Sequence, residues 1–205
     1  LRAFLLQLNF RGRKNIGGFF MSIKLLDWQK EVVFGNQRSL AVPAGARTGK
    51  NIATVFAMKE RPTLTVVPSA RHVTAIHREL SHYGCRNDSK VYNGQEFFNN
   101  LKLSYGFLNK LNRYDQIIFN ELYGIELIPL LQLRNKYDGR IVVMGTPLAI
   151  PCPIYYPLSK MSEWVFLDTK FQIEVYGDHE KIINSLRGKH YNNDVVLREI
   201  DVVWA

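Results

Sequence analysis

A glycine-rich turn that ends in a lysine lies at residues 44–51. Gly45 and Gly49 flank the turn, and Lys50 follows directly. Glycines let backbone N–H groups point into one concave space, the N-terminus of a following helix adds partial positive charge, and a lysine ammonium can reach a terminal phosphate. The turn therefore predicts a phosphate-binding loop, and the alternative is an ordinary glycine turn before a helix.

The loop departs from the usual G-x-x-x-x-G-K-[ST] spacing at two positions. Ala44 stands where the first glycine belongs, and Asn51 stands where a hydroxyl residue would contact magnesium. A neutral amide oxygen binds a hard cation weakly, so Asn51 predicts a weakened magnesium site. We expect the loop to be exposed, so that Lys50→Ala abolishes phosphate binding and leaves the fold intact.

Polar residues also follow three other predicted strands. Ser69 follows one, the pair Asn120-Glu121 follows the next, and Thr146 follows a third. In open parallel sheets, ligands lie beyond the carboxyl ends of the strands. We therefore expect these side chains to share one edge of the sheet with Lys50.

The composition fits one globular α/β domain with a polyanionic partner. The 205 residues are 46% hydrophobic and 12% aromatic, and the formal net charge of +9 favours nucleic acid. Cys85 and Cys152 form no paired motif, so neither a disulfide framework nor a zinc site is predicted. No run approaches the roughly 20 apolar residues of a membrane span, and we expect no membrane partner.

Alternating strand and helix patterns predict an α/β fold with a mainly parallel central sheet flanked by helices. Residues 1–20 are interpreted as a leader or flexible basic arm, and 21–205 as one domain whose segment 150–205 is irregular and closes with helices. Residues 103–108 are predicted as a strand edge followed by a short helix. The other predicted strands are 39–42, 62–69, 114–122, 138–147 and 164–168, and the predicted helices are 24–33, 51–60, 70–83, 125–137, 179–187 and 192–200.

In this order the motifs resemble the ATPase domain of a viral (bacteriophage) terminase large subunit, the motor that packages double-stranded DNA into a capsid. They resemble, more distantly, the first RecA-like domain of superfamily 2 helicases. The segments that carry the resemblance are Trp28-Gln29-Lys30 for the adenine contact, 44–51 for the Walker A loop, 66–70 for the next strand-end motif, 119–122 for Walker B with the catalytic glutamate, 144–147 for the coupling motif, and the closing stretch 182–204.

The resemblance implies a RecA-like P-loop NTPase fold with ATP and Mg²⁺ as cofactors. It implies catalytic roles for Lys50 on the phosphates, Glu121 on the attacking water and Arg47 on transition-state charge. Asn120 takes the place of the Walker B aspartate, so the metal would be contacted by Asn51 and Asn120. The implied nucleotide-binding residues are Gln29, Gly45, Ala46, Thr48, Gly49, Lys50, Asn51 and Thr146.

The same resemblance implies double-stranded DNA, a portal and a small terminase subunit as partners, and a homo-oligomeric ring. We expect no nuclease domain in this chain, so a separate nuclease chain stays open as a further partner. The expected location is the host cell cytoplasm, transiently at the procapsid portal. Two alternatives stay open: a helicase fragment, which requires a second RecA-like domain, and a non-hydrolysing nucleotide- or DNA-binding subunit, which the two asparagines favour.

Overall fold

The computed structural model describes residues 25–45, 48–84, 88–103, 105–121, 125–147, 149–167, 169 and 202. The predicted leader 1–20 and the two predicted helices 179–187 and 192–200 lie outside the described residues. The same holds for Ala46 and Arg47 of the loop, and for Cys85.

Helices and strands alternate along most of the described chain. The strands are β1 (Ser39–Pro43), β2 (Thr63–Val67), β3 (Lys90–Asn93), β4 (Gln116–Asn120), β5 (Arg140–Gly145) and β6 (Val165–Phe166). The helices are α1 (Asp27–Phe34), α2 (Lys50–Glu60), α3 (Ala70–Tyr83), α4 (Gly94–Leu103), α5 (Tyr105–Leu111), α6 (Leu127–Lys136) and α7 (Tyr155–Leu158).

The six strands form one sheet in the order β3-β2-β4-β5-β1-β6, and every neighbouring pair is parallel. This confirms the predicted α/β class with a central parallel sheet, an architecture compatible with Rossmann-like and RecA-like folds. Strand β5 lies between β1 and β4, and it pairs Pro43 with Gly145 on one side and Asn120 with Met144 on the other. The carboxyl ends of these three strands therefore lie side by side.

The four central strands are buried along their whole length, as expected for a parallel sheet covered on both faces. On one face, Phe97 and Phe107 of the helices α4 and α5 pack against each other, and Phe97 also contacts Phe119 of β4. On the other face, Trp28 of α1 and Ala53 of α2 pack over β1 and β5. The apolar runs that predicted these strands are thus the core of the sheet.

The prediction of a strand edge within 103–108 is wrong, because Leu103 ends α4 and the residues from Tyr105 onward belong to α5. The short helix that was predicted to follow is confirmed as α5. Phe97 of α4 and Phe107 of α5 lie in the same core cluster, with their ring centroids 5.6 Å apart. The strand between α3 and α4 is β3, which lies at one edge of the sheet. Among the described helices, none combines the length and the apolar character that a membrane span requires.

Arg140 anchors α1 to the amino edge of the sheet. Its guanidinium donates to Val32 O at 2.7 Å, Glu31 O at 2.7 Å, Gln37 O at 3.1 Å and Gln116 Oε1 at 2.9 Å. Burial, together with the positive charge of Arg61, lowers the pKa of Arg140 to about 10. Because α1 is fixed in this way, Gln29 on the same helix is held against the glycine-rich loop.

Candidate functional site

The glycine-rich loop connects the carboxyl end of β1 to the first residue of α2. Gly49 adopts a left-handed conformation with φ 85°, which residues with a Cβ adopt only at a cost. Thr48 Oγ1 donates to Gly45 O at 2.9 Å, and Ala44 N donates to Gly145 O at 3.0 Å. The loop is therefore a closed turn fixed to the end of β5, directly before a helix N-terminus.

Lys50 is buried, with only 6% of its side chain exposed. Its ammonium donates to Gly45 O at 2.6 Å and to Ala44 O at 3.2 Å, and it lies 3.0 Å from Glu121 Oε1. The expectation that Lys50 is exposed, with a charge that plays no part in the fold, is wrong. Its ammonium closes the loop and neutralises the carboxylate of Glu121, the residue after β4.

Glu121 follows β4 directly and has a positive φ of 81°, an unusual conformation for a residue with a long side chain. Its Oε1 pairs with Lys50, and its Oε2 accepts a hydrogen bond from Thr146 N at 3.1 Å. Its backbone N–H donates to Met144 O at 2.8 Å. Both carboxylate oxygens are thus engaged, and opening the bridge to Lys50 would make Glu121 a stronger base toward water.

Asn120, Asn51 and Thr54 form a buried polar cluster beside this ion pair. Asn120 Nδ2 donates to Asn51 Oδ1 at 2.9 Å and to Thr54 Oγ1 at 3.1 Å. Asn120 is 1% exposed, and its Oδ1 has no hydrogen-bond partner among the described residues. The two asparagines that the sequence assigned to one metal are therefore brought together, and they bind each other.

This donor set does not fit a resident magnesium ion. Magnesium is usually held by one or two carboxylates together with substrate phosphates. Here Asn51 Oδ1 accepts from Asn120, the Glu121 carboxylate is bound to Lys50, and the one unpaired oxygen of the cluster, Asn120 Oδ1, is neutral. Within the described ranges no three His, Cys, Asp or Glu side chains are grouped to hold a metal. The assignment of Asn51 and Asn120 to Mg²⁺ stays a prediction that donor chemistry weighs against.

Gln29 is buried against the loop at 1% exposure. Its Nε2 donates to Thr48 O at 3.2 Å and to Gly49 O at 3.5 Å, while its Oε1 accepts from Leu26 N at 2.9 Å. The amide therefore ties α1 to the loop, and its contact with adenine stays a prediction.

Two other predicted strand-end residues lie in different surroundings. Thr146 is buried beside the ion pair, and its Oγ1 lies 3.5 Å from Ala44 O. Ser69 is exposed, and its Oγ is bonded to His72 Nδ1 at 2.9 Å. The structure thus places Thr146 with Lys50 and Glu121, and it gives Ser69 a local partner on α3.

Sequence reasoning did not select Thr54 and Tyr155. Thr54 lies one helical turn after Asn51, and this i, i+3 spacing was the available signal. Tyr155 OH lies 3.0 Å from both Val42 O and Gly145 O, at the ends of the adjacent strands β1 and β5. Burial, reinforced by Cys152 and Glu121, raises the pKa of Tyr155 well above its usual value. No sequence signal linked this tyrosine to the loop.

No protein-family model and no curated protein matches this chain.

Proposed function

We propose that the chain binds ATP at residues 44–51 and is the ATPase domain of a viral DNA-packaging motor of the terminase large subunit class, with a RecA-like P-loop fold. The observation that carries the proposal is the meeting of Lys50, Glu121 and Thr146 at one sheet edge. These three residues follow three different strands, and the motif order had assigned each of them to the phosphate end of a nucleotide.

The chemistry assigned to these residues is simple. Lys50 and the backbone N–H groups of the loop would hold the β- and γ-phosphates, which requires Lys50 to exchange Glu121 for phosphate. The freed Glu121 carboxylate would then orient and deprotonate the attacking water. Thr146, one residue beyond β5, would detect the γ-phosphate through its contacts to both the loop and Glu121. Arg47, in the loop sequence, would stabilise the developing charge.

The proposed partners follow from charge and from the terminase resemblance. A net charge of +9 supports weak, salt-sensitive and sequence-tolerant binding of duplex DNA. A portal, a small terminase subunit and neighbouring copies in a ring would supply the surroundings in which ATPase activity rises. These partners, and the location in the host cytoplasm with transient attachment to the procapsid portal, belong to the proposal.

The test is the ATPase rate as a function of protein concentration, with and without linear duplex DNA. We expect a low rate that rises more steeply than linearly with concentration and increases with DNA. Lys50→Ala should abolish nucleotide binding and Glu121→Gln should stop turnover with ATP still bound, whereas the exposed control Lys136→Ala should behave as wild type. A linear, DNA-insensitive rate would count against a packaging motor.

A second candidate is a nucleotide-binding subunit that does not hydrolyse ATP. The hydrogen-bonded pair of Asn51 and Asn120 favours it, because neither side chain supplies a carboxylate at the predicted metal position. This candidate predicts saturable ATP binding without release of phosphate at any concentration of protein or DNA.

A further inference from the structure

We infer that this site binds the phosphate chain of its nucleotide without a divalent cation, and that the side-chain amide of Asn51 donates hydrogen bonds to it. The inference rests on the proposed nucleotide binding, and it names the ligand as a metal-free nucleoside polyphosphate. The inference follows from which atoms of the buried polar cluster of Asn120, Asn51 and Thr54 already take part in hydrogen bonds.

The hydrogen bonds fix the orientation of the Asn120 amide. Thr54 Oγ1 has one hydrogen, which it donates to Lys50 O at 3.0 Å, so it can only accept from Asn120. Asn120 Nδ2 therefore uses its two hydrogens on Thr54 Oγ1 and Asn51 Oδ1. A reversed amide would place an acceptor against Thr54, whose hydrogen is already committed.

This orientation leaves Asn51 with a free donor group. Its Oδ1 is occupied by Asn120, while its Nδ2, on the same carbon, has no partner among the described residues. Asn51 is half-buried and is the second residue of α2, where backbone N–H groups and the helix dipole favour an anion. The free end of the side chain is thus an N–H₂ group beside Lys50.

The charges at the site give the same preference. Lys50 and Glu121 neutralise each other in the absence of ligand, so a cation that arrives without a phosphate meets no free carboxylate among these side chains. An incoming phosphate can instead take the ammonium from Glu121 and accept from Asn51 Nδ2. The buried, unpaired Asn120 Oδ1 can accept from a water but adds no charge to attract a metal. The site therefore offers more to a polyphosphate than to a divalent cation.

The experiment measures ATP affinity by titration calorimetry in excess EDTA and in millimolar magnesium. For the wild type we expect the dissociation constant in EDTA to be no higher than the one in magnesium, because magnesium ions in solution compete with the site for the phosphate chain. The double variant Asn51→Ser with Asn120→Asp restores a hydroxyl and a carboxylate. It should bind about tenfold or more weakly in EDTA than in magnesium, the range expected for a gained metal partner.

Two further variants isolate the Asn51 donor. Asn51→Asp keeps the shape of the side chain but replaces the donor with a charge, and it should weaken ATP binding in EDTA by about tenfold or more. Asn112→Asp introduces the same charge change at an exposed position before the amino end of β4, and it should leave the affinity unchanged. Circular dichroism melts establish that each variant is folded before its affinity is interpreted.

A wild-type affinity that falls tenfold or more in EDTA would overturn the inference and leave nucleotide binding intact. An Asn51→Asp variant that is folded and binds as wild type would remove the donor role. No ATP binding in either buffer would instead remove the proposed function together with the inference. The wild-type comparison decides the metal question even if the double variant does not fold.

Discussion

Lys50 and Glu121 form an ion pair that is almost completely buried. We expect their contributions to the stability of the fold to be energetically coupled. Lys50→Met removes the ammonium and keeps most of the aliphatic side chain, which leaves Glu121 Oε1 without its cation and Gly45 O with only the hydrogen bond from Thr48 Oγ1. Glu121→Gln keeps the shape of the side chain and removes the charge. The two single variants and the double variant form a double-mutant cycle.

The expected magnitudes follow from burial. Removing one partner of a buried pair costs about 3–5 kcal/mol, and the 17% exposure of Glu121 places Lys50→Met near the lower limit, at about 3 kcal/mol. Glu121→Gln retains an oxygen for Lys50, so we expect a smaller loss of about 1–2 kcal/mol. Because the two side chains are in contact, the coupling energy should lie at about 1–2 kcal/mol.

Urea denaturation at neutral pH without ligand measures the four free energies of unfolding, with equal m-values as the check that one transition is compared. The control cycle uses Lys30 and Asp27, whose charged atoms are closer, at 2.7 Å, but whose side chains are 51% and 90% exposed. We expect that exposed pair to couple by less than about 0.5 kcal/mol. Additivity within about 0.5 kcal/mol for Lys50 and Glu121 would refute the reasoning, since it would mean that the buried pair contributes no more than the exposed one.

Substitutions at three further positions test the residues that support the site, each by the urea midpoint of its variants. Gln29→Leu should lower the free energy of unfolding by about 1–3 kcal/mol, because two loop carbonyls lose a buried donor. A loss below about 0.5 kcal/mol would mean that the loop keeps its conformation without this contact. Arg140→Lys should cost nearly as much as Arg140→Met, since one ammonium cannot replace a guanidinium that meets four acceptors; full recovery by lysine would contradict this. Thr54→Val should cost about 1–2 kcal/mol and Thr54→Ser much less, because serine keeps the acceptor for Asn120.

The central strands and their order along the chain could be predicted from the sequence, because β1, β2, β4 and β5 are short segments rich in apolar and β-branched residues, separated by segments with helical spacing. Segment 103–108 could not, since its short alternation resembles a strand and only the fit of Phe107 against Phe97 decides for a helix. The local pattern of residue types carries no information on such a packing contact between two helices.

The candidate site could also be predicted only in part from the sequence. Residue type and strand-end position placed Lys50, Asn120, Glu121 and Thr146 at one sheet edge. The sequence could not show that Lys50 is buried against Glu121, because that pairing depends on the separation of two strands by β5. It also could not show that the two asparagines bind each other, which depends on the orientation of one amide.

The position of β5 between β1 and β4 has a consequence for how this site can change in evolution. Three successive residues, Met144, Gly145 and Thr146, bind Glu121 on one side and the loop strand end at Ala44 on the other. A backbone change that improves the fit to one neighbour displaces the hydrogen bonds to the other. The loop and the carboxylate strand are therefore expected to diverge in concert, and transplanting either one alone into a related scaffold should fail unless the end of β5 is carried with it.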